Sequence, residues 1–187
     1  MVFYYSLKKM LIGIIGNKYT GKDTFADYLV KHYEFTKITY AEPLKEISRY
    51  LFHLQEEQLS DPYHKEIKIP YWDLTPREIF QKIGTDLFRN HFDKDFWIKQ
   101  FEIRFLKDTD KKEKTTNRVC SDVRFQNEAD LIKKYGGILI RVDRPSLEKK
   151  DSHESEKLEI TGTDYYIENS SSLQDFYDKI DALVCKL

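Results

Sequence analysis

Gly16 and Gly21 bracket Asn17, Lys18, Tyr19 and Thr20, and Lys22 follows at once. The spacing G-x-x-x-x-G-K lets successive backbone N–H groups turn inward around an anion, while the lysine adds a full positive charge. Apolar residues run from Leu11 to Ile15 before this loop, and Phe25, Tyr28 and Leu29 follow it at helical spacing. A loop between strand and helix also borrows the partial positive charge of the helix N-terminus. The chemistry implied is binding of nucleotide phosphates. A plain glycine-containing strand-to-helix turn would carry the same glycines. One position departs from the usual pattern. Asp23 stands where a metal-holding Ser or Thr would follow the lysine, and the hydroxyl comes next, at Thr24. An acid in the first helical turn also favours the helix by capping and dipole, so Asp23 has a structural reading as well. Lys22 is expected to face solvent.

Further polar residues of interest fall just after apolar runs. Asp122 and Arg124 follow Val119-Cys120-Ser121. An Asp there can hold Mg2+ through water or orient an acceptor, and an Arg can clamp a phosphate with its planar fork. Read alone, the two would equally make a surface ion pair. Lys45 lies a turn and a half beyond a short apolar run at residues 37–41, within reach of a phosphate or merely solvated. Arg77 and Arg89 are twelve residues apart, on roughly similar faces if the helix is continuous, and either has a reading as ordinary surface charge. The loop from Arg144 to Thr163 holds Lys149, Lys150, His153, Ser155 and Glu156 with few apolar anchors, a composition that suits a lid ordering over a ligand. Residues 146–163 are expected to be mobile without nucleotide. His153 has no Cys or His at metal spacing, which argues against zinc, and no Ser-His-Asp arrangement follows from spacing.

These positions need a scaffold. Strands are expected at 11–15, 37–41, around 119–122, at 138–142 and at 165–167. Helices are expected after Lys22, from Pro43 through Phe52, from Thr75 (with Pro76 at the first position and Glu78 in the first turn) through Leu87, from Asp93 to Leu106, from 126 to 135, and from 173 to the end. Residues 53–73 are polar, punctuated by proline and without clear period, and read as an inserted, mobile or substrate-covering segment. Lys107–Arg118 reads as a charged surface loop. The alternation of strand and helix argues for a parallel sheet flanked by helices, with ligands at the strand C-termini. At 187 residues, 40% of them apolar, with 12 Phe and 13 Tyr, the chain suits one compact α/β domain. The net charge of −1 gives no electrostatic case for nucleic acid or an anionic membrane surface. No run reaches the ~18 apolar residues of a membrane span. Residues 1–9 do not read as a signal peptide. Two cysteines, Cys120 and Cys185, indicate no disulfide framework and a reducing, cytoplasmic setting.

Together the motifs resemble the deoxynucleoside monophosphate (dNMP) kinases of large DNA phages and viruses, relatives of the adenylate kinase group of P-loop enzymes. The loop GNKYTGKDTFADY is similar to the family's GKDT version, which accounts for Asp23. YAEPLKE from Tyr40, TPREIFQKIGTD from Thr75 with Arg89 and Trp97 beyond it, SDVRFQNEAD from Ser121, Gly136-Gly137, RVDRP, DSHESE and DYYIENSSSL complete the series in the family's order. The short lid region, and Ser170-Ser171 in place of the usual Asp-Gly, depart from the pattern.

The resemblance implies an α/β fold of the P-loop NTPase type: three α/β/α layers, a central parallel sheet, a helical NMP-binding insertion and a short lid. It implies a single kinase domain over 1–187, with residues 10–41 and 119–187 as core, 42–106 as the monophosphate-binding region and 145–163 as lid. It implies transfer of the γ-phosphoryl of ATP to a dNMP with Mg2+, in the host cytoplasm if the source is viral, by a homodimer. By the same resemblance Gly16, Asn17, Lys18, Thr20, Gly21, Lys22, Asp23 and Thr24 hold ATP, with Thr24, Asp23 or Asp122 serving the metal. Lys45, Arg77, Gln81, Thr85, Arg89 and Arg124 bind the acceptor, with Asp122 beside Arg124. Arg144, Lys149, Lys150, His153 and Glu156 belong to the lid over the donor, and Asn169 to the adenine side. Competing readings are another small-molecule kinase of the group (acting on a ribonucleotide or phosphomevalonate), a deoxynucleoside kinase, and a non-catalytic ATP-binding module.

Overall fold

Five strands organise the chain: β1 (Leu11–Ile15), β2 (Phe35–Lys37), β3 (Asn117–Val123), β4 (Ile138–Asp143) and β5 (Tyr165–Glu168). In the computed structural model, which describes residues 10–110, 117–146 and 159–187, they form one parallel sheet in the order β2-β3-β1-β4-β5. β1 is central and all five of its residues are buried. Alternate side chains of β1 go to opposite faces, as a strand requires. Ile12 and Ile14 pack with Phe25, Leu29, Phe176 and Ile180, from α1 (Lys22–His32) and α7 (Leu173–Val184). Leu11 and Ile15 join the opposite cluster, with Ala129 and Ile132 of α6 (Gln126–Lys134) and Phe101 of α5 (Phe96–Asp110). Burial of these aliphatic side chains contributes roughly 1.5–3 kcal/mol each.

The strand order reverses between β1 and β3. The chain leaves β1 through α1 to the outer strand β2, returns to β3, then passes over to β4. The loops after β1 and β3 therefore splay apart and leave a crevice at their C-terminal ends, the place where open α/β sheets bind ligands. Into that crevice projects the segment between β2 and β3, which is wholly helical in its regular parts. It holds α2 (Glu42–Phe52), α3 (Glu56–Ser60), a 3-10 turn (His64–Glu66), α4 (Pro76–Gln81), a π-wound helix (Lys82–Phe92) and α5.

Several boundaries differ from expectation for physical reasons. The second strand stops at Lys37 instead of running to Ala41, because the N–H groups of Tyr40 and Ala41 donate to the Asp122 carboxylate (3.0 and 2.9 Å) and not to a neighbouring strand. Residues 53–73, read as aperiodic, contain two short helices and anchor through the buried Leu54 and Leu59. The fourth expected helix begins at Phe96, after Asp93 has capped the turn by accepting from Asp95 N–H, and runs to Asp110 into what read as a loop. The start at Thr75 is as expected: its hydroxyl accepts from Glu78 N–H, and the Glu78 carboxylate accepts from Thr75 N–H. Its continuation is π-wound, with i→i+5 bonding, a winding often found at functional sites. Among the described residues no helix is long and apolar enough to cross a membrane.

Candidate active site: a phosphate loop beside a cationic cavity

The loop after β1 is bent by two left-handed residues, Tyr19 at φ 65° and Gly21 at φ 102°. Gly21 is required twice over. A side chain there would be strained by the backbone, and its Cβ would lie 2.7 Å from Asn169 Nδ2. At Gly16 the limit is space, since a Cβ would come within 2.4 Å of the Val142 carbonyl oxygen. Asn169, just beyond β5, donates to the Thr20 carbonyl (2.9 Å), and the Thr20 hydroxyl donates to the Asn17 carbonyl (2.9 Å). Asn169 thus braces the loop directly. Lys22 is buried, contrary to the solvent-facing position expected, and its Nζ donates to the Asn17 carbonyl at 2.5 Å. The Lys22 charge is therefore folded inward against the loop's own backbone. Lys18 extends near the Tyr19 ring, 5.7 Å from its centroid. Thr24 is half-buried in the first turn of α1, and Arg144 is exposed at the end of β4.

Next to α1 lies a cavity lined by residues from several elements. It gathers Lys45 from α2, Arg77 and Gln81 from α4, Thr85 and Arg89 from the π-wound helix, Arg124 and Asp122 from the end of β3, and Asp23 from α1. All six acceptor-side residues singled out in the sequence meet here, although they span residues 45 to 124. Lys37, Lys65 and Glu128 add further charges to the wall, and Phe80, Trp97 and Phe125 supply apolar surface. The lining holds six cations against three carboxylates, and each carboxylate is engaged. Asp23 accepts from Ser121 Oγ (2.8 Å) and pairs with Lys37 (3.0 Å). Burial tends to raise the Asp23 carboxyl, but Lys37, Ser121 and Lys22 together hold it below its usual range. Asp122 accepts the two N–H groups named above and so ties the start of α2 to the end of β3.

Glu128 is the third. One oxygen accepts from Arg89 Nη2 (2.6 Å), and the other from the N–H groups of Arg124 (2.8 Å) and Phe125 (3.2 Å). Arg89 is buried, with its guanidinium 3.7 Å from the centre of the Phe125 ring. Complete burial pushes the Glu128 carboxyl up to about 7, with Arg89 pulling the other way. Arg77, by contrast, pairs with Glu66 (2.6 Å). The two arginines share one cavity but not one partner. Trp97 donates to the Gly84 carbonyl (2.7 Å), which fixes the ring at the wall.

Lys149, Lys150, His153 and Glu156 lie outside the described residues. Of the residues to which sequence reasoning gave no role, Glu128 carried a signal, being the first acid after Arg124 in the quoted SDVRFQNEAD, and Trp97 was named beyond the block that starts at Thr75. Lys37 and Lys65 carried none.

A family model described as deoxynucleotide monophosphate kinase matches residues 67–180. A protein of Acanthamoeba polyphaga mimivirus that carries the family's name is 37% identical over 186 residues, covering 94% of this chain and 96% of that one. The chain belongs to the deoxynucleotide monophosphate kinase family. The resemblance drawn from the motifs is borne out, and with it the P-loop kinase type of fold. The family's Enterobacteria phage T4 deoxynucleotide monophosphate kinase is 34% identical over 106 residues, 56% of this chain and 43% of that protein. A crystal structure from Thermus thermophilus superposes with TM-score 0.54 at 15% identity, covering 96% of this chain and 98% of that one, a likeness of fold alone. In this member of the deoxynucleotide monophosphate kinase family the glycine-bounded loop precedes the matched stretch, and the residues from Arg77 to Arg124 that the sequence assigned to the acceptor lie within it.

Proposed function

We propose that the chain transfers the γ-phosphoryl group of ATP to the phosphate of a deoxynucleoside monophosphate. The acceptor oxygen attacks phosphorus, the bond to the β-phosphate oxygen breaks, and ADP and a deoxynucleoside diphosphate leave. The observation that carries this reading is the cavity with six cations against three engaged carboxylates, opening beside the loop that ends in Lys22 and Asp23. Phosphoryl transfer asks little covalent chemistry of the protein; it asks for alignment and neutralised charge.

On this reading the loop from Gly16 to Thr24 binds the donor phosphates, and Lys22 exchanges the Asn17 carbonyl for a phosphate oxygen. Lys45, Arg77 and Arg124 take the acceptor phosphate. Gln81 and Thr85, with Trp97 and Phe80, face the nucleoside. Arg89, held by Glu128 and Phe125, keeps the cavity floor rigid. Asp23, Thr24 and Asp122 offer only oxygen donors, which suits a hard cation such as Mg2+, and one or two carboxylates beside substrate phosphates are what that ion commonly takes. Asp122 would act through water, since both its oxygens already accept backbone N–H groups. Mg2+ there would neutralise charge on the donor phosphates. The setting we infer is the cytoplasm, where nucleotides are made.

The test is ADP release from ATP with each of four dNMPs, four NMPs and phosphomevalonate. Acceptor-dependent release that favours one or more dNMPs is expected. Release that is indifferent to acceptor, or greater with ribonucleotides or phosphomevalonate, would refute the assignment.

A further inference from the structure

The segment between α2 and α4 brings one residue to the cavity that no sequence signal marked. Lys65 sits in the 3-10 turn, half-buried, and shares the lining with Lys45, Arg77 and Arg124. Its Nζ donates to a neutral partner, the Ser60 carbonyl, at 3.0 Å. The turn that presents it is pinned on three sides. Leu59 is buried beneath it, and Asp61 accepts from the N–H groups of Tyr63 (3.0 Å) and His64 (2.9 Å) and pairs with the His64 ring (2.8 Å). The neighbouring Glu66 accepts from Arg77 (2.6 Å) and from the Tyr19 hydroxyl of the phosphate loop (3.3 Å). Lys65 is thus held at the seam between the loop and the cavity, among cations from three other elements. Such a gathering is unfavourable until an anion of more than one charge arrives.

We propose that Lys65 is a phosphate-binding residue of the acceptor site, leaving the Ser60 carbonyl to donate to the phosphate dianion of the incoming nucleotide. The assignment rests on the proposed function and gives one residue of the segment between α2 and α4 a named part in it.

The charges that face Lys65 are Lys45 of α2, Arg77 of α4, Arg124 after β3 and Asp23 of α1, with Glu66 beside it. Burial, then the three cations, lowers its pKa to about 8, and Asp23 opposes them. A bound dianion raises it again. Below that value the ammonium is already present when the acceptor binds. As pH rises through it, acceptor binding must take up a proton, so the acceptor KM increases by up to about tenfold per pH unit.

The experiment compares wild type, Lys65→Met and Lys65→Arg from pH 6.5 to 9.5. It measures acceptor KM from ADP release, and Kd by calorimetry, for the four dNMPs and for a non-hydrolysable ATP analogue. In Lys65→Met the acceptor KM should rise about 10- to 100-fold at pH 7 and lose its dependence near pH 8, as the loss of a charged hydrogen bond implies. Lys65→Arg, charged throughout, should keep a low KM and also lose the dependence. ATP-analogue affinity should stay within twofold in both. An acceptor KM in Lys65→Met within twofold of wild type overturns the proposal, as does a wild-type KM flat through pH 8, or weakened ATP-analogue binding with acceptor binding intact. If only thermal stability falls, Lys65 is a brace for the Ser60 turn and the proposal is wrong. A wild-type chain that binds no monophosphate overturns this assignment and the proposed function together; dNMP turnover with Lys65→Met unimpaired overturns this assignment alone.

Discussion

Asp122→Asn separates two roles that one carboxylate cannot both fill strongly. In the structure its oxygens accept from the N–H groups of Tyr40 (3.0 Å) and Ala41 (2.9 Å), one each. Asparagine presents a single carbonyl oxygen, and its NH2 must face the other N–H. One charge-assisted bond becomes a neutral one, and the other becomes a donor left without an acceptor. Losing the charge assistance costs about 1 kcal/mol, and stranding a partly buried N–H costs about 1–3 kcal/mol, so the variant should lose roughly 2–4 kcal/mol of stability. With a urea m-value of about 2 kcal/mol/M, the unfolding midpoint should fall by about 1–2 M. The same change loosens the start of α2 and thereby Lys45, so acceptor KM should rise while ATP-analogue Kd stays constant. Urea unfolding followed by far-UV circular dichroism, with kinetics across a Mg2+ titration, measures both. A midpoint within about 0.3 M of wild type, accompanied by a raised Mg2+ requirement, would refute the argument and make Asp122 a metal group and not a tether.

Three further outcomes are expected. Lys22→Met should lower kcat on the order of 10²-fold or more, by loss of the charge on the donor phosphates, with the folded far-UV spectrum retained; residual turnover at a tenth of wild type would exclude the loop as donor site. Arg124→Lys keeps charge but not the planar fork, and kcat/KM for dNMP should fall about 10- to 150-fold while ATP-analogue Kd holds; a weakened analogue with unchanged dNMP KM would put Arg124 on the donor side. Asn169→Ala removes the brace on the Thr20 carbonyl, and ATP-analogue affinity should drop several-fold with acceptor Kd unmoved when measured without donor; equal analogue affinity would leave Asn169 without a part in loop geometry.

Legibility followed the range of the interaction. The phosphate loop, the Thr75 cap and the alternating strands could be read because each is decided by residues a few positions apart, through backbone sterics, local hydrogen bonds and period. The early end of β2 could not, because it depends on a carboxylate more than eighty residues away claiming the N–H groups of Tyr40 and Ala41. The inward fold of Lys22 depends on the bend at Tyr19 and Gly21, which spacing leaves undetermined. Arg77 and Arg89 read as lying on similar faces of one helix and do reach one cavity, yet each pairs with a carboxylate from a different element, which helical period alone does not specify. Lys65 was silent for a plain reason: a lysine in a polar stretch looks solvated until the tertiary fold turns it toward other cations.

The widened winding also bears on how relatives should be aligned. A helix closed by i→i+5 bonds takes up one more residue in each turn than an α-helix does, and from Lys82 to Phe92 that surplus is what lets Arg89 point at Glu128. Tightening the same eleven residues to α geometry, at about 100° per residue, would carry the guanidinium round past its partner and strand two charges. A homologue with a residue missing here can wind tightly and still present its arginine inward. A gap between Gln81 and Asp93 therefore marks a change of helical pitch, whereas an ungapped match of α-wound and π-wound sequences would equate residues that face different ways.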